Sequence, residues 1–213
     1  MLKNLINKKK IFIFDFDGVI VDSNKIKAIN FYKIFETSNN LLKKKIIDYH
    51  NNNIGENRAK KINYFINNFS ELEDFKLKKQ LLLNRFSYQC VNDISICKEI
   101  PGAYKFLQFL KKQKSKMILC SATPINELKK ILGNRKLDKF FDIICGYPNK
   151  KDEFISNLII KKKYNKTQIV YFGDSNSDYV AAKKNNIDFI HVNSNKNFNY
   201  KNKEIITIND FNL

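Results

Sequence analysis

Five short apolar runs punctuate the chain: Ile11–Phe14, Met117–Cys120, Phe141–Cys145, Gln168–Phe172 and Asp188–Val192. Their length and their Ile, Val and Phe content are those of buried strands. Between the last four lie stretches with helical spacing of apolar positions, over Pro124–Leu132, Asp152–Tyr164 and Ser177–Asn185. This alternation predicts a parallel sheet with helices on both faces. From about Asn24 to Ile96 the period is helical throughout, as in Ile26, Ile29, Phe31, Ile34 and Phe35, and again in Ile62, Phe65, Ile66 and Phe69. An all-helical block is therefore inserted after the first strand, and the α/β pattern resumes at a helix opened by Pro101-Gly102. The expected division is an α/β core over 1–23 and 97–213, with a small helical cap over 24–96.

Composition changes this picture little. The chain has 213 residues, 43% of them hydrophobic and 28% charged, enough for one sizeable core carrying a small lobe. Charge is the outlier: 39 Lys+Arg against 21 Asp+Glu gives +18. A basic chain raises the question of nucleic acid or an anionic surface. Only Arg58, Arg85 and Arg135 are arginines, however, and the lysines are spread over every segment. Nucleic-acid readers lean on the guanidinium fork, so no nucleic-acid partner is expected and the charge is assigned to the surface. Four cysteines without C-x-x-C spacing, and two histidines, exclude a zinc constellation. Cys120 and Cys145 lie in apolar runs and are expected to be buried free thiols. The basic N-terminus MLKNLINKKK is followed by an apolar run too short for a signal peptide, and no run approaches a membrane span. These features predict a soluble cytoplasmic protein, monomer or homodimer.

The chemistry gathers where apolar runs stop. IFIFDFDGVIVDS delivers Asp15 and Asp17 at the end of the first strand, with a turn at Gly18. Two acids this close repel and are costly to bury without a cation; a hard ion such as Mg2+ suits them. YFGDSNSDYVAA repeats the arrangement with Asp174 and, four residues on, Asp178 at a helix start, where an acid also serves as a cap. In MILCSATP, Ser121 and the free backbone N–H groups at Ala122 suit a phosphate oxygen. In GYPNKKDEF, Lys150 or Lys151 precedes a helix.

These four elements, in this order, resemble the haloacid dehalogenase superfamily of phosphotransferases, in its phosphoglycolate phosphatase and β-phosphoglucomutase-like subgroup. The resemblance extends to about Val192. It implies a Rossmann-like three-layer core with a helical cap and Mg2+ dependence. Asp15 falls in the nucleophile position, Asp17 in the acid/base position and Ser121 in the phosphoryl-binding position. Lys151 is the preferred motif lysine, because relatives read G-S-P-x-x-K where this chain reads Gly146-Tyr147-Pro148-Asn149-Lys150-Lys151. Asp15, Asp174 and the backbone carbonyl of Asp17 would hold the metal, with Asp178 a direct ligand, a water-mediated ligand or an orienting partner of Lys151. YHNNNIGENRAKKINYF is similar to a Gly-x-x-Arg-x-x-Lys stretch that places Gly55, Arg58 and Lys61 toward the substrate, along with Gly18 and Ala122. The activity implied is hydrolysis of a small phosphate monoester through an aspartyl-phosphate. The alternatives are a phosphohexomutase of the β-phosphoglucomutase type and, more distantly, a nucleic-acid-binding protein on a degenerate core.

Overall fold

The computed structural model describes residues 6–194, 198 and 205–212. The first five residues of the basic N-terminus lie outside them. The sheet has six strands, all parallel: β1 (Ile11–Phe14), β2 (Lys116–Pro124), β3 (Ile143–Tyr147), β4 (Ile169–Gly173), β5 (Asp188–Val192) and β6 (Ile206–Ile208), in the spatial order β3-β2-β1-β4-β5-β6. Eight α-helices accompany it among the described residues. Four precede β2: α1 (Asn24–Lys33), α2 (Asn40–Asn52), α3 (Arg58–Asn68) and α4 (Lys79–Ile96). Four follow the α/β pattern: α5 (Ala103–Lys112), α6 (Ile125–Asn134), α7 (Lys151–Lys162) and α8 (Asn176–Lys184).

Alternation along each strand splits the core into two layers, as pleating requires. Phe12, Phe14, Met117, Leu119, Val170 and Phe172 face one way, onto Phe106, Leu107 and Leu110 of α5 and Leu128 and Ile131 of α6. Ile11, Ile13, Ile118, Cys120, Ile169 and Tyr171 face the other, onto Ile155 and Ile159 of α7 and Ala181 and Ala182 of α8. Cys120 and Cys145 are buried, neighbouring free thiols in register across β2 and β3.

The block from α1 to α4 buries its own aromatic stripe. Phe31 stacks on Phe86 with centroids 4.1 Å apart and meets Phe65 edge-on at 5.7 Å. Ile34, Phe35, Ile62 and Ile66 complete that interior, while Ile29, expected on the same stripe, faces solvent. The chain enters and leaves the block side by side: Asp22 N–H donates to the Lys98 carbonyl at 2.9 Å and Ile100 N–H to the Ile20 carbonyl at 3.1 Å. The three arginines act as struts. Arg135 donates to the carbonyls of Ile94 and Cys97, Arg85 pairs with Glu36, and Arg58 pairs with Glu127.

Several local features depart from the sequence reading. β2 runs on past Cys120 through an irregular stretch to Pro124, so Ser121 lies inside the strand rather than where it stops. β3 starts at Ile143, because the Asp142 carboxylate turns back to accept the Met117 N–H at 2.9 Å. A nine-residue 3-10 helix (Ser70–Lys78) and β6 carry no periodic signal. Among the described residues no helix is long and apolar enough to cross a membrane.

The re-entry turn shows how sequence fixes one such junction. Gly102 has φ +79, and a Cβ there would lie 2.8 Å from the Phe211 carbonyl carbon and from Asn212 Oδ1. Phe211 N–H donates to the Pro101 carbonyl at 2.8 Å, and its ring stacks on Phe106. Only glycine supplies both the left-handed backbone and the close approach. Gly102→Ala is therefore expected to lower unfolding free energy in urea by about 1–3 kcal/mol, against no more than a few tenths if the turn relaxes freely.

Candidate active site

Strand order reverses around β1, which pairs β2 on one side and β4 on the other. Open parallel sheets bind ligands beyond the carboxyl ends of the strands at such a point. Asp15 follows β1 and Asp174 follows β4 directly, and the register Phe14↔Phe172 places them at adjoining strand ends, Asp174 one residue further out. Asp15 N–H donates to the Phe172 carbonyl at 2.9 Å, tying the loops together.

Three carboxylates converge here. Asp15, Asp174 and Asp178 each offer an oxygen within 4.8 Å of the others, and all three are buried. Lys151, the first residue of α7, lies 2.8 Å from Asp15 Oδ2 and 2.6 Å from Asp178 Oδ1. Lys150 instead points outward to Glu153. Asp178 is fully engaged: it also accepts from the Tyr171 hydroxyl at 2.6 Å, from Ser175 Oγ at 2.6 Å and from Ser175 N–H at 3.1 Å. It thus both orients Lys151 and closes the first turn of α8. Asp15 Oδ1 accepts the Phe16 N–H at 2.7 Å, which fixes the carboxylate plane. Asp174 accepts from Asn24 at 2.7 Å and from Ser194 at 3.2 Å. Gly18 passes beneath it with φ +72, where a Cβ would run into the Asp174 carboxylate.

The electrostatics follow from this crowding. Burial raises the Asp15 carboxyl well above its usual range; Lys151 opposes the shift, and Asp178 and Asp174 add to it. Burial, then Asp178, push Asp174 up to about 7, against the Asn24 hydrogen bond. For Asp178 burial also works upward, but Lys151 and three donors win and hold it below the ordinary value. Burial alone would lower Lys151; Asp15 and Asp178 overcome it and keep the ammonium charged. The set is one buried cation against three buried acids. A hard divalent ion with oxygen ligands fits that donor set, with Asp15 and Asp174 the carboxylates best placed to hold it.

Asp17 sits apart from this cluster. Its side chain accepts from Ser23 Oγ at 2.6 Å and Thr123 Oγ1 at 3.0 Å and pairs with Lys27. Burial pushes its carboxyl up, but Lys27 and these hydrogen bonds win and hold it low. Ser121 is buried and accepts the Thr123 N–H at 3.1 Å; the cleft is lined by its neighbours Ala122 and Thr123.

The helical block closes the other side. Lys61 is 2% exposed and lines the cleft, its ammonium 3.1 Å from His50 Nδ1. Burial lowers it to about 7. Arg58 also lines the cleft, but Nη1 contacts both Glu127 oxygens, at 2.8 and 2.9 Å, and Ser87 Oγ at 2.9 Å. Its charge is thus spent on the core helix α6. Gly55 faces Ser177 at the start of α8.

Asn24, Lys27 and Phe31 line the cleft too, and sequence reasoning passed over the first two. They stand at i, i+3 and i+7, one face of α1. A polar pair on an otherwise apolar helical face was the available signal. His50, Tyr171 and Ser194 carry no comparable mark.

A parallel α/β fold with carboxylates and a lysine at its switch point has the ligand-binding architecture of the open-sheet α/β proteins. Within that class, this chain belongs to the haloacid dehalogenase-like hydrolase family, whose model matches residues 12–192. The chain is 26% identical over 187 residues to the phosphorylated carbohydrates phosphatase of Thermotoga maritima, covering 84% of this chain and 82% of that protein. The fold is similar to the structure of a predicted phosphoglycolate phosphatase from Haemophilus somnus, with TM-score 0.75, 20% identity and coverage of 96% and 95% of the two chains. It is also similar to CbbY from Rhodobacter sphaeroides, solved with xylulose-(1,5)-bisphosphate, with TM-score 0.73, 11% identity and 95% of each chain covered.

The carboxylate crowding has a measurable sign. Asp174 titrates near 7 in the folded protein against an ordinary 3.8. Between those values the folded state holds a proton that the unfolded chain has lost, so stability falls as pH rises through the window. In chelator-treated protein, Asp174→Asn is expected to raise unfolding free energy at pH 8 by up to about 4 kcal/mol, and the gain to shrink toward pH 4. Urea unfolding at both pH values checks it; a less stable variant at pH 8 would contradict the argument from buried charge.

Proposed function

We propose that this chain is a Mg2+-dependent phosphatase acting on a small phosphorylated carbohydrate through an aspartyl-phosphate. The observation that carries the reading is Lys151 bridging Asp15 and Asp178, beside Asp174, at the carboxyl ends of β1 and β4. Mg2+ held by Asp15, Asp174 and the Asp17 carbonyl would offset the repulsion between a carboxylate nucleophile and a phosphate dianion. Lys151 adds positive charge on the same side.

Asp15 Oδ attacks phosphorus as the bond to the leaving oxygen breaks, giving an acyl phosphate. Asp17 donates a proton to the leaving oxygen, then takes one from the water that hydrolyses the acyl phosphate. The Lys27 contact favours ionised Asp17, the form the second half needs. The acid half requires Asp17 to give up that contact and gain a proton. The backbone N–H of Ala122, a residue lining the cleft, would hold a phosphoryl oxygen, while the Thr123 N–H is taken up by Ser121 Oγ, which braces the turn.

The helices over 24–96 act as a cap that shields the reaction from water. Lys61 and Lys27 make its wall electropositive. A mutase must rebind its intermediate through a second phosphate; Arg58, which matches a cap anion reader by motif, is instead occupied by Glu127 and Ser87. That favours hydrolysis over the mutase reading.

Asp15→Asn is expected to fold normally and lose at least about a thousand-fold in turnover; appreciable remaining phosphate release would refute the nucleophile assignment. EDTA is expected to silence the wild-type protein and Mg2+ to restore it, with release from a panel of sugar phosphates as the readout.

A further inference from the structure

The outward face of α4 differs from the rest of this basic surface. Residues 80–97 contain no lysine, the longest such run in a chain of net charge +18. The next longest, 167–182, carries β4 and its acid loop, which are buried. α4 buries Leu82, Phe86, Cys90 and Ile94 on one side. On the other, Leu81, Asn84, Tyr88, Asn92 and Ile96 form an exposed stripe at spacings of three and four residues. Single exposed apolar residues are ordinary, whereas a row of them marks a contact. Leu77, just before α4, Ile96 and Tyr88 are the three most exposed large hydrophobic side chains among the described residues, at 100%, 86% and 73%. Beyond Lys79 the charged residues of α4 are Arg85 and Asp93, and Arg85 is spent on Glu36 and the Ile34 carbonyl.

The stripe has nearly the same order from either end. Asn84 and Asn92 each lie four residues from Tyr88, and Leu81 and Ile96 lie seven and eight residues from it. A two-fold axis beside Tyr88 would therefore set Leu81 of one copy against Ile96 of the other, Asn84 against Asn92, and Tyr88 against Tyr88. An isologous contact requires this kind of self-complementarity. Exposed tyrosine and missing lysine are also the composition of an interface centre. Electrostatics favours the same face: two copies at +18 repel, and the lysine-free strip is where they approach at least cost.

We propose that the outward face of α4 joins two copies of this chain, with the α4 helices antiparallel and Tyr88 at the two-fold axis. Phe86, which lines the cleft, is two residues from Tyr88 and so about 200° away around the helix. The contact thus leaves the cleft open. The 18 residues of α4 span about 27 Å. One pair of such helices covers less than the roughly 800 Å2 per partner of a standard stable interface. The dimer is accordingly reversible, with Kd on the order of 10–100 µM.

Sedimentation velocity of the full chain over about 5–200 µM, in about 0.15 M salt to damp general repulsion, tests this. The wild type should shift from monomer to dimer across that range. Tyr88→Asp and Leu81→Lys should each weaken association at least about ten-fold, because each places charge in the seam. Ile160→Asp, at an exposed apolar position on α7, should leave it unchanged. The double variant Leu81→Lys with Ile96→Glu separates a lost contact from a lost fold. In antiparallel copies it sets lysine against glutamate twice, so it should recover the dimer that Leu81→Lys alone loses. A wild type that stays monomeric throughout, or a dimer indifferent to Tyr88→Asp, overturns the proposal. A double variant as weak as Leu81→Lys alone overturns the antiparallel arrangement.

Discussion

Three buried carboxylates facing one buried ammonium are the constraint on which the rest of this structure turns. Removing a carboxylate from water costs several kcal/mol in a protein interior, and one lysine cannot repay three such charges. The protein distributes the burden unequally. Asp178 takes the Lys151 contact and three further donors, and it stays ionised. Asp15 and Asp174 are left short of positive charge, which is what a divalent ion supplies. Two acids held in that condition are unfavourable for folding and favourable for binding a cation.

Holding them there demands rigidity from distant parts of the chain. The β1–β4 ladder brings the ends of the two strands together, Asp15 beside Gly173 and one residue short of Asp174, and its side chains are anchored on both faces of the sheet. The helical block is bound into the same arrangement. Asn24, the first residue of α1, donates to Asp174, and Lys27, one turn later, pairs with Asp17. Movement of α1 therefore moves hydrogen-bond partners of two acids that the proposed reaction uses. The Arg58–Glu127 pair connects the far side of the block to α6 in the same way. The block is thus tied to the acids by side chains, not only by the chain crossings at residues 20–23 and 97–100.

What the sequence made legible was whatever is encoded locally. An apolar run followed by DFDG or GDSNSD states both a strand and the acid at its end, because the hydrophobic period and the acid occupy the same dozen residues. Five of the six strands emerged from such local apolar runs, two of them with the acid attached. β6 did not: three residues, half-buried at the sheet edge, leave too short a pattern. Ser121 was placed at a strand end because the apolar run stops there, whereas the backbone continues pairing to Pro124 regardless of side-chain polarity. Asn24 and Lys27 were missed because their partners lie up to 150 residues away. Arg58 shows the opposite error. The motif located it at the cleft, but Glu127, which occupies its charge, is 69 residues on and belongs to no motif.

Net charge belongs in this account too. A formal +18 describes a lysine-rich exterior, and none of the three arginines stands free at the surface. The lysines with definable chemistry at the site are those lining the cleft, Lys27, Lys61 and Lys151. Two of them are held by acids of the site, while Lys61, beside His50, forms no ion pair among the described residues. In the proposed reaction a phosphate dianion would meet cations from both the core and the helical block, while the undercompensated carboxylates repel it until a divalent ion offsets their charge. The outer lysines raise the potential along the approach, a long-range effect that salt weakens. The inner ones act at contact distance in a space that excludes most water, where screening is poor. The two populations share a residue type and differ in function, and burial rather than composition separates them.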